Sequence, residues 1–133
     1  MQILIAVAVV LAGVMVMAPR ASAHAVVEQI TPADGQRLTS GPPRVTIRFS
    51  EAVQLLRPED LTVVGSGGQP ASSGGGRVLA ADASVAEVPV APRLPSGTYT
   101  VRWRVVSADG HIIPGASVFA VGDVPITPPY LGG

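Results

Sequence analysis

The chain contains no cysteine and no lysine, and its three methionines all fall within the first 17 of 133 positions. Without cysteine there is no disulfide, no thiolate metal site and no thiol nucleophile, so an exported form has to stand on its apolar core. Beyond Met17 there is no thioether either, which removes the soft sulfur ligands that favour Cu(I). Any metal site must therefore be made of nitrogen and oxygen. Nine arginines balance nine carboxylates with no basic block. That pattern argues against binding nucleic acid or an anionic membrane surface.

The N-terminus reads differently from the rest. Ile3 to Ala18 is an unbroken apolar run of sixteen residues, ended by Pro19 and followed by Ala21-Ser22-Ala23. A run of this length is short for a membrane span, which needs about 20 residues. The small residues at 21 and 23 suit a signal peptidase. Residues 1–23 are thus expected to be a signal peptide, which places the mature protein in the periplasm or at the cell surface. Two alternatives stay open. No Lys or Arg precedes the run, as an uncleaved anchor would allow, and Ala23-His24-Ala25 is itself a cleavable triplet that would leave Val26 first.

Cleavage after Ala23 leaves 110 residues, enough for one domain. Proline and glycine recur along it and exclude long helices. Arg44–Ser50 alternates, with Val45, Ile47 and Phe49 on one face. Thr98–Val106 does the same, with Tyr99, Val101, Trp103 and Val105 facing a core and Thr100, Arg102 and Arg104 facing water. Weaker strand signals cover Ala25–Ile30, Asp60–Val64, Arg77–Ala80, Val85–Val90 and Ala116–Val121. Seven short strands with regular turns predict an all-β, Greek-key β-sandwich of immunoglobulin type over residues 24–122. Gly65–Gly76 reads as a flexible, low-complexity excursion. Residues 123–133, rich in proline and glycine, read as a disordered tail.

The chain has two histidines, and both stand where chemistry is available. Cleavage after Ala23 makes His24 the first residue, so that its α-amine and ring Nδ1 together form a chelate. The amine's proton competes with a metal below its ordinary pKa of about 7.7–8.0. His111 lies in Ser107-Ala108-Asp109-Gly110-His111, where residues two apart project to one side if the segment is extended. Gly110 lets the backbone bend around a site. Two nitrogens from His24, one from His111 and an oxygen from Asp109 would fill the tetragonal N,O plane that Cu(II) favours. The plainer reading is that Asp109-Gly110 is an ordinary turn dipeptide and that His24 follows the leader by accident.

Several segments together resemble the CopC-type copper-binding proteins of the bacterial periplasm and cell surface. They are His24-Ala25, Thr31-Pro32-Ala33-Asp34-Gly35, Val45 to Val53, Leu94 to Trp103, and Val106 to His111 with Gly115 beyond. The resemblance implies an immunoglobulin-like or cupredoxin-like sandwich and one Cu(II) per chain, held by His24, Asp109 and His111. It also implies a hydrogen-bonding role for Glu51 beside the amine, where a solvated turn carboxylate is the alternative. Some members carry a methionine-rich Cu(I) site, whose residues are missing here. Others work with a CopD-like copper-transporting membrane protein, which would here be a separate partner of a monomeric protein.

Three functions fit these features. The first is a non-enzymatic protein that sequesters or delivers Cu(II) in copper resistance and homeostasis. The second is a copper-dependent oxidative enzyme resembling a lytic polysaccharide monooxygenase. Asp109 as a charged ligand and the inward-facing Trp103 weigh against that one. The third is a metal-free adhesion module.

Overall fold

The computed structural model describes residues 24–132. The expected signal peptide at 1–23 lies outside the described residues, as does Gly133. The described chain forms nine strands and one 3-10 turn: β1 (Val27–Thr31), β2 (Gln36–Leu38), β3 (Arg44–Phe49), β4 (Val53–Gln54), the turn Pro58–Asp60, β5 (Leu61–Gly65), β6 (Arg77–Val78), β7 (Val85–Pro89), β8 (Gly97–Ser107) and β9 (Ile112–Val121). One sheet runs β1-β3-β7-β6. The other runs β2-β9-β8-β4, with β5 also paired to β8. No helix among the described residues is long and apolar enough to cross a membrane.

The seven expected strands correspond to β1, β3 and β5 to β9. The two extra ones, β2 and β4, have three and two residues, too few to show an alternation. They are set by pairing instead: β2 lies parallel to β9, and β4 pairs antiparallel with β8. The last strand starts at Ile112 rather than Ala116 because Pro114 and Gly115 hold register against Arg104 and Trp103. A Cβ on Gly115 would overlap the Trp103 indole, so the cross-strand glycine makes room for that ring.

The alternating faces predicted for β3 and β8 form the core. Val45, Ile47 and Phe49 are buried with Tyr99, Val101, Trp103 and Val105, joined by Leu61, Val63, Val88 and Phe119. Burying each such large apolar side chain contributes about 1.5–3 kcal/mol. Tyr99 and Phe119 stand opposite each other on β8 and β9 with rings stacked 5.5 Å apart. The Tyr99 hydroxyl donates to the Pro95 carbonyl, which satisfies its polar end while the ring is buried.

Two expectations are corrected. The segment 65–76 is stitched to the sheets rather than loose: Ala71 N donates to Val63 O, Ala91 N to Ala71 O, and Val63 N to Ser72 Oγ, and Ala71 is buried. Nor is the tail disordered through residue 132. Val124 O accepts from Arg37 and Pro125 O from Thr98 Oγ1. Thr127 N and Tyr130 N donate to Thr98 Oγ1 and Thr100 Oγ1, and Gly132 O accepts from Arg102. Thr98 and Thr100 are buried in consequence, although Thr100 points away from the core. The tail supplies the partners that water would otherwise provide.

Candidate metal centre

The β8–β9 hairpin builds one half of the site. Val106 pairs with Ile112, Ser107 N donates to His111 O at 2.9 Å, and Gly110 N donates to Ser107 O at 2.9 Å. This is a three-residue hairpin loop, closed by a turn whose last residue must be left-handed. Gly110 fills that position with φ 85°, which a residue with a Cβ adopts only at a cost of about 1–2 kcal/mol. The motif is therefore a turn and a side-chain cluster at once. Asp109 and His111 converge through the turn, not through the extended geometry that the sequence suggested.

The other half comes from the opposite end of the chain. Ala25 is buried and anchors the residue before it. Val26 is held at β3 by two bonds, from its N–H to Ser50 Oγ (3.0 Å) and from Ser50 N to its carbonyl (2.8 Å). These contacts bring His24 from the edge of one sheet to the hairpin tip of the other.

There the three side chains meet. His111 Nδ1 lies 2.7 Å from Asp109 Oδ2, His24 Nδ1 lies 3.6 Å from the same oxygen, and the two imidazoles stand edge to face with centroids 4.8 Å apart. One potential ligand atom from each residue falls within 4.8 Å of the others. Both histidines are more than half exposed, whereas the Asp109 side chain is 23 % exposed. Its other oxygen, Oδ1, accepts from the Ser107 hydroxyl and from His111 N at 3.3 Å. These bonds hold the Asp109 carboxyl at a pKa of about 2. The Ser107 hydroxyl is the largest cause; partial desolvation opposes it, and His111 adds to it. The aspartate is thus an anion at neutral pH beside two imidazoles, a donor set that accepts a divalent cation there without first losing a carboxyl proton.

Of the four residues named from sequence, the structure joins His24, Asp109 and His111. Glu51 follows β3, next to the Ser50 that grips Val26, and its buried Oε1 has no hydrogen-bond partner. An acceptor left in that state costs about 1–3 kcal/mol. Ser107 is the residue the sequence reading passed over. Its signal, a small hydroxyl two positions before a carboxylate, was present but is common in turns.

Comparison with known proteins follows the same lines. The CopC domain family model matches residues 27–122. Protein YobA of Escherichia coli (strain K12) is 33% identical over 103 residues, covering 77% of this chain and 82% of that protein. Copper resistance protein C of Pseudomonas syringae pv. tomato is 34% identical over 119 residues, covering 83% of this chain and 89% of that protein. Among solved structures, CopC from Methylosinus trichosporium OB3b superposes with a TM-score of 0.64 at 27% identity, over 74% of this chain and 93% of that one.

Proposed function

This chain belongs to the CopC family, and from that premise we propose that His24, Asp109 and His111 together bind one Cu(II) ion as cargo. A copper-binding role in copper resistance is the function this family membership supports. The single observation that carries the site is convergence. Residues 24, 109 and 111 share one corner with ligand atoms within 4.8 Å, although the matched domain begins only at Val27.

The donors fit the ion. Two imidazoles and a carboxylate are the nitrogen and oxygen ligands that Cu(II) takes, and Cu(II) heads the divalent affinity order. Export with cleavage after Ala23 would add the His24 amine as a further nitrogen. In this reading Glu51, whose buried oxygen lacks a partner, accepts a hydrogen bond from that amine and fixes its orientation. The absence of methionine after position 17 leaves no Cu(I) thioether site. The protein then works as a monomeric carrier outside the cytoplasm that sequesters Cu(II) or passes it to a separate, CopD-like membrane protein, and it is not an enzyme.

Calorimetric titration of the secreted, metal-free protein with Cu(II) tests the reading. One equivalent should bind, and His111→Ala should weaken binding by about a hundredfold or more, at or beyond the range found for residues that only support a ligand. Equal affinity in His111→Ala would remove this corner from consideration.

A further inference from the structure

Ser107 is buried at the end of β8, beneath the cluster. Its hydroxyl carries one proton, and two acceptors lie in reach: Asp109 Oδ1 and, at 3.2 Å, the His111 carbonyl. The carboxylate is the nearer and the charged acceptor, so the hydroxyl proton belongs to it. The turn needs no help from the side chain. The bonds Ser107 N to His111 O and Gly110 N to Ser107 O close it through backbone alone. What the hydroxyl does instead is bond Oδ1, which His111 N also approaches at 3.3 Å. Oδ2 is left turned toward both imidazoles, at 2.7 and 3.6 Å from their Nδ1 atoms.

We infer that Ser107 is a positioning residue that limits Asp109 to a single metal-facing oxygen, Oδ2. The inference rests on the copper reading above and adds a ground for selectivity to it. A carboxylate with both oxygens free can clasp a cation through both, as the larger oxygen-seeking ions such as Ca²⁺ prefer. A carboxylate with one oxygen already bonded offers one ligand atom, which suits a small, nitrogen-rich tetragonal set. Ser107 thereby turns a common acidic side chain into a one-point donor with a fixed direction.

The test compares Ser107→Thr with Ser107→Val, nearly equal in shape and differing in the hydroxyl, with Ser107→Ala as the variant that adds no bulk. Each is measured without metal by thermal melting, and with one equivalent of Cu(II) by competition affinity and electron paramagnetic resonance. The Thr variant should keep the parent spectrum and affinity. The Val and Ala variants should lose about 10–100-fold in affinity, as outer-shell changes do, and show an altered copper hyperfine splitting. The metal-free Val protein should stay folded and melt below the Thr protein by no more than one lost hydrogen bond to a charged group, which separates this role from a structural one. A parent-like spectrum and affinity in Ser107→Ala would overturn the inference while leaving the site intact. A parent protein that binds no Cu(II) would instead overturn the reading beneath it.

Discussion

The two ends of β8 are finished in opposite ways. At its start, Thr98 and Thr100 point away from the core yet are buried, because the tail from Val124 to Gly132 bonds to their hydroxyls and to Arg102. At its far end, Ser107 leads into a hairpin whose tip carries Asp109 and His111 toward the His24 ring. One end spends its polar groups on the chain's own backbone. The other bonds Asp109 Oδ1 through Ser107 and the His111 N–H, and sets Oδ2 against the two exposed imidazoles. A strand can thus be sealed at one end and open at the other within eleven residues, and the difference lies in whether a covering segment bonds the outward-facing groups.

Three changes sharpen that comparison. The largest effect should come from the core that both ends share. Trp103→Ala removes the ring that fills the space over Gly115 and should cost about 3–5 kcal/mol, read as a lowered denaturation midpoint; an unshifted midpoint would mean the indole does not pack there. Next, ending the chain after Gly122 strips the cover from Thr98 and Thr100. This should cost about 0.5–1.5 kcal/mol for each hydrogen bond exchanged for one to water, yet leave Cu(II) affinity unchanged. Weaker metal binding in the shortened protein would show that the two ends are coupled. The smallest effect should appear in acid. Asp60, Asp82 and Asp109 are all held below the usual carboxylate range, by Arg57, by Ser84 and by Ser107 respectively as the chief cause. Their stabilising contribution is complete above the unfolded value of about 3.9 and declines as pH falls through the folded one. For Asp109 that window runs from about 4 down to about 2. Melting of Asp109→Asn against pH should therefore show a shallower decline across this window than the parent, and identical slopes would contradict the assignment.

What the sequence made legible follows from these same physics. β3 and β8 were readable because Val45, Ile47, Phe49, Val101 and Val105 alternate with polar residues, and period two needs no knowledge of neighbours. The order of the tail and of segment 65–76 was not readable. It depends on Thr98, Thr100 and Ser72 meeting distant backbone groups, whereas composition alone suggested looseness. His24, Asp109 and His111 could be named because only two histidines exist and one lies beside an aspartate. The reason they meet could not be named, since it needs the turn at Gly110 and the grip of Ser50 on Val26. Ser107 escaped notice because its importance is a direction, and a direction appears only once the hairpin is closed.

We propose that a corner assembled from distant parts of the sequence takes up one Cu(II) ion. Anomalous diffraction at the copper edge, from crystals of the secreted protein grown with one equivalent of cupric salt, addresses it most directly. A single strong peak bounded by His24, Asp109 and His111 is expected. A peak elsewhere, or none at that corner, would contradict it.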